Sequence, residues 1–221
     1  MAYSKFTLEK ALKELELTLV SVPELFLGVM PVAVSEPMAG LLQQYLTIAL
    51  GVATEKARSE YLVAPLLFEL RQRTGGAISI FSGVTFDVDP ARGLAGACDF
   101  LLAKSPEQNV LQSPVFAAVE SKSENLRPGL GQCLAELVAV QLFNEQEGHP
   151  LPTVWGAVTS GLAWRLINSK ARKSIWRTRS ARLVMAARCS EYYCISQEVN
   201  TKQCKQAKTR TLILSFLIPQ K

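Results

Sequence analysis

Asp99, Glu120 and Lys122, near the middle of the chain, have the types and spacing for hydrolytic chemistry. Side chains alternate faces along a strand, so Glu120 and Lys122, two apart, leave a strand end on one side. Ser121 points the other way, with its carbonyl between them. Asp99 belongs to the preceding apolar run, joined by a connection short enough for an antiparallel hairpin. Pairing of Asp99 near Ala118 puts it within a diagonal step of Glu120. Two carboxylates and a carbonyl are hard oxygen ligands, suited to Mg²⁺ or Mn²⁺. Such an ion acidifies water and offsets charge on a phosphoryl group. An ammonium beside it orients the attacking water and stabilises developing negative charge. Lys122 stays protonated there, because neighbouring carboxylates favour its charged form. A lone Glu-x-Lys is common at solvated strand ends. Here, however, the charges directly follow an apolar strand.

The flanking residues supply the elements to hold that cluster. "GACDFLLA", Gly96 to Ala103, and "VFAAVESK", Val115 to Lys122, read as strands. The second is apolar until Glu120, which suits a central strand buried on both faces. Ala77 to Asp89, rich in Ile, Val, Phe and Thr, reads as one or two strands around Gly83. Pro128 opens a helix, where proline is tolerated. Leu130, Cys133, Leu134, Leu137 and Val138 recur on it at core-facing spacing. Thr153 to Gly161 is a further strand. Upstream, Thr7 caps a short helix to Leu17, and Phe26 to Gly40 reads as a linker or irregular cover. Leu41 to Ala57 is helical. Arg58 to Arg73 is helical too, with Pro65 forcing a kink or a late start. The order is helix, three strands, helix, strand.

In that order, and in the strings "ARSEYLVAPLLFELR", "GACDFLLA", "VFAAVESK" and "GLGQCLAEL", the sequence resembles the PD-(D/E)XK nuclease superfamily, in particular small bacterial, cyanobacterial-type nuclease-like proteins. The resemblance implies an α/β fold with a restriction-endonuclease-like αβββαβ core, a central mixed sheet flanked by helices. It makes Asp99 the first acid, Glu120 the second and Lys122 the lysine. It adds Glu60 as a first-helix acid and further metal ligand, and Gln132 as the glutamine opening the next helix. Where some subgroups carry tyrosine four residues later, this chain has Glu136. The proline of the family name is replaced by Cys98. The match runs from about Ala57 to Arg165. It leaves residues 1–56 as N-terminal helices and cover and 166–221 as a basic segment. Its implied function is Mg²⁺- or Mn²⁺-dependent cleavage of nucleic acid, DNA before RNA. The rivals are a catalytically silent module of the same fold, for nucleic-acid binding or assembly, and an interaction protein.

Composition sets the remaining expectations. Hydrophobic residues make up 48% of the 221, enough for a real core. Up to Trp164 there are 11 Lys and Arg against 17 Asp and Glu, a net −6; beyond it there are 13 against 2, a net +11. An acidic body thus carries a basic segment, which either meets phosphate or is a solvated tail. Trp176, among arginines, either stacks on a base or belongs to that tail. Asp87 and Asp89 form a rival metal pair or a strand end before Pro90, and His149 is a loop residue. Gly129-Leu130-Gly131 lacks the third glycine of a dinucleotide loop. Five cysteines without a Cys-x-x-Cys pair and a single histidine argue against structural zinc. An odd count with no secretion signal fits free thiols in the cytoplasm. The apolar run Leu17 to Val34 is interrupted by prolines, and Thr211 to Ile218 is too short to span a bilayer. No membrane partner is expected, and a homodimer is left open.

Overall fold

A computed structural model describes residues 2–21, 34–170 and 175–182. The chain is α/β, a mixed sheet flanked by helices. Helix α1 is Leu8–Glu14, β1 Thr18–Ser21, α2 Glu36–Val52, α3 Glu55–Arg58 and α4 Ala64–Arg73. Then come β2 (Ser79–Thr85), β3 (Ala97–Ala103), β4 (Val115–Ser121), α5 (Arg127–Gln146), β5 (Thr153–Thr159), β6 (Ala163–Lys170) and β7 (Ile175–Arg182). The strands order as β1-β7-β6-β5-β4-β3-β2. All seven residues of β4 are buried, as a strand enclosed on both faces requires. It pairs antiparallel with β3 and parallel with β5. Parallel neighbours need a crossover, and α5 provides it.

Alternation along the strands feeds two cores. Leu101, Ala118, Val158 and Ile167 pack with Leu134 and Leu137 of α5 and with Ala11 of α1. Phe100, Val119, Ala157 and Trp164 pack with Leu42 of α2 and with Leu66 and Leu70 of α4. Val138, expected in the core, is only partly buried. Helix α5 lies so close to its neighbours that two glycines are obligatory. A Cβ on Gly131 would stand 2.3 Å from the Thr7 carbonyl carbon, and one on Gly129 would stand 2.6 Å from Val158 Cγ1. The glycine pair therefore serves packing. Gly131→Ala should cost about 3 kcal/mol, because a methyl against backbone has nowhere to go. A denaturant melt with an unchanged midpoint would contradict that contact.

Three expectations change, and one open choice is decided. The β3–β4 register pairs Phe100 with Val119, which carries Asp99 to the level of Glu120, two residues beyond the pairing with Ala118. The helix expected from Leu41 to Ala57 ends at Val52, because Ala53 adopts φ 57° and Thr54 caps a new helix. Of the two alternatives at Pro65 the structure shows the late start, with α4 beginning at Ala64 and the proline in its first turn, after a π-helical turn, Ser59–Val63. Finally, the sheet continues past Arg165 through β6 and β7, so the basic segment shares the fold at least to Arg182. Trp176 is buried in the α5-side core and not available for stacking on a base. The runs "EYYCIS" and "TLILSFLI" lie outside the described residues.

Candidate metal centre

Three carboxylates converge where β3 begins and β4 ends. Each of Glu55, Asp99 and Glu120 offers an oxygen, and these lie within 4.8 Å of one another. β4 delivers Glu120 into the interior, 2% exposed, while Asp99 is half-buried and Glu55 reaches in from the rim. Asp99 Oδ2 accepts the Ser121 backbone N–H at 2.7 Å, which fixes its orientation. Lys122 Nζ donates to Glu120 Oε1 at 2.5 Å and to Glu55 Oε1 at 3.3 Å. Its backbone N–H donates to the Thr159 carbonyl at 2.7 Å, so β5 anchors the turn that carries it. Gly129 leaves room for its stem: a Cβ there would meet Lys122 Cγ at 3.1 Å.

Burial, then the Asp99 charge, pushes the Glu120 carboxyl up to about 7 against the pull of Lys122. Burial likewise raises Asp99, opposed by the Ser121 N–H. Burial works against the charged form of Lys122, but Glu120, with Glu55 and Asp99, outweighs it and holds the ammonium above its ordinary value. Behind Glu120 lies Glu136 of α5, fully buried and raised well above the carboxylate range by burial and by Glu120. Its Oε1 accepts Gln132 Nε2 at 3.0 Å. With both acids ionised, Glu120 Oε2 and Glu136 Oε2 would be buried without partners. A proton on Glu136 turns it into a donor to Glu120 and removes the conflict.

The structure thus brings together Asp99, Glu120 and Lys122. It does not bring in Glu60, whose half-exposed carboxylate pairs with Lys56 at 3.0 Å. Glu55, five residues earlier, takes that place. Gln132 reaches the cluster through Glu136 and not directly. Glu55 and Glu136 were missed in the sequence. Thr54 before Glu55 is a helix-start signal, and an acid amid "CLAELVAV" is the kind of buried polar residue that carries information. The rival pair is structural: Asp87 accepts the Gly96 N–H, and Asp89 caps the turn at Arg92. His149 sits in a loop, 2.6 Å from Ser113 Oγ.

The donor set fits a hard divalent cation. Three carboxylates against one ammonium leave an excess of negative charge for oxygen ligands of this type to share with a cation. Among the described residues, no helix is long and apolar enough to cross a membrane. In comparisons with known proteins, no family model, curated protein or solved structure matches the chain.

Proposed function

We propose that this chain is a divalent-metal-dependent nuclease with a restriction-endonuclease-like core, hydrolysing phosphodiester bonds in DNA. The observation that carries the reading is the convergence of Glu55, Asp99 and Glu120 around the Lys122 ammonium at the end of a buried strand. The chain order α4, β2, β3, β4, α5, β5 supports it. Glu55, Asp99 and Glu120 would hold Mg²⁺ or Mn²⁺, which would acidify water and offset charge on a phosphoryl oxygen. Lys122 keeps one N–H beyond those given to Glu120 and Glu55, and it donates that one to the attacking water. The Ser121 N–H holds the Asp99 carboxylate in place, with one of its oxygens in the cluster. Water oxygen bonds to phosphorus, the bond to the leaving oxygen breaks, and a phosphomonoester and an alcohol result.

The direct test incubates the protein with single-stranded, duplex and branched DNA, and with RNA, in Mg²⁺, Mn²⁺ or chelator. Cleavage that persists in chelator overturns the reading. Metal binding without cleavage of any substrate supports the catalytically silent module instead. Glu55 and Glu60 separate the geometry from the family pattern. Glu55→Gln should raise the Mg²⁺ needed for half-maximal activity about tenfold or more, the usual scale for weakening a ligand set. Glu60→Gln should leave it unchanged. The reverse ranking in a Mg²⁺ titration would move the site one helical turn away.

A further inference from the structure

Arg58, at the end of α3, is 5% exposed and poorly satisfied. A guanidinium stays charged and has five N–H donors, so burying it demands acceptors. It has two long bonds: Nη1 to the Ser160 carbonyl at 3.4 Å and Nη2 to Glu124 Oε1 at 3.3 Å. Its Nε is buried with no partner. Ser121 Oγ is also buried without one, and alternation from Val119 places it on the same side of the sheet. The counter-ion is the wrong kind to hold a buried charge, since the Glu124 side chain is 84% exposed. Nε and Nη2 form the edge of a guanidinium that grips a phosphate with two parallel bonds. Glu124 occupies one donor of that edge and leaves the other empty.

We propose that Arg58 is a phosphate-binding residue for the nucleic-acid backbone and that Glu124 is a placeholder which the phosphate displaces. The placement supports this: Arg58 lies one helical turn from Glu55, on the same face, and its carboxylate partner lies two residues beyond Lys122. A phosphate held there sits beside the metal centre, so this subsite rests on the nuclease reading and adds a way for that site to seat its substrate. Displacement of Glu124 frees Nη2 for a phosphate oxygen, and the second bond forms when the Arg58 edge turns outward, because Nε is buried as it stands.

The test measures binding of a labelled oligonucleotide, with and without a 5′-phosphate, to the full chain in chelator, where nothing is cleaved. Glu124→Gln frees the edge without touching the core and should tighten binding about fivefold. Glu147→Gln removes the same charge from an exposed position far along α5's end and should change it much less. Arg58→Met should weaken binding, reduce the salt slope by about one and abolish the gain from Glu124→Gln. Equal gains on both oligonucleotides place the phosphate within the strand; a gain confined to the 5′-phosphorylated one places it at the end. Either supports the subsite. If Arg58→Met does not fold, the Glu124 and Glu147 pair decides. Equal effects of those two variants overturn the subsite while leaving the nuclease reading intact. No binding by any of the proteins at low salt overturns both.

Discussion

Lys122→Met should lower cleavage by about a thousandfold, the scale on which loss of one electrostatic stabiliser acts in a water-poor site. The variant keeps the stem that packs beside Gly129 and removes the charge alone. Glu55, Asp99 and Glu120 remain, so metal binding should survive. It should even tighten, because the ammonium that competes for Glu120 Oε1 and Glu55 Oε1 is gone. The measurement pairs single-turnover cleavage with calorimetric Mn²⁺ titration. A fall in cleavage with metal affinity retained or increased is the expected result. Equal loss of both would make Lys122 a structural counter-ion, and unchanged cleavage would remove it from the chemistry.

The central part of this site was legible because strand patterning and charge placement agree. An apolar run ending in Glu120-Ser121-Lys122 places those residues at the end of a buried strand, and the structure does so, with Glu120 and Ser121 still in the interior. The register was read two residues short because nothing local specifies it: Ala117, Ala118 and Val119 fit a buried strand equally well. Glu60 comes from the family resemblance, and the structure puts Glu55 at the sheet end instead for a backbone reason. The helix there is not continuous but breaks at Ala53 and passes through a π-helical turn before Pro65, and each change shifts which residue faces the sheet end. Periodicity cannot report a phase shift inside the window it averages over. Beyond Arg165, arginines alternate with other residues in "IWRTRSAR", and β7 is hidden behind its charge. Trp176 and Thr178, both buried, lie on one face of that strand.

The metal-free protein should lose stability as pH rises, opposite to the usual behaviour of carboxylates. Folding lifts the Glu120 carboxyl from 4.5 to about 7, so the folded state binds a proton that the unfolded state has released. Stability falls with pH wherever the native state holds more protons. The contribution is therefore complete below about 4.5 and lost as pH climbs through about 7. A rise of that size corresponds to about 3 kcal/mol. Glu136, raised well above its ordinary value, acts in the same direction and carries the decline further. Glu120→Gln should remove most of the slope between the two values. Asp99→Asn should remove a smaller part, since burial contributes more to the Glu120 shift than the Asp99 charge does. It should also raise the apo melting temperature above neutral pH, although most substitutions lower it. Mg²⁺ or Mn²⁺ in hundredfold excess over its dissociation constant should restore about 2.7 kcal/mol to the wild type and much less to Asp99→Asn. The measurement is a set of thermal melts across that pH range, with and without metal. If stability rises with pH in the metal-free protein, or if metal shifts wild type and Asp99→Asn equally, Asp99 and Glu120 do not share one site.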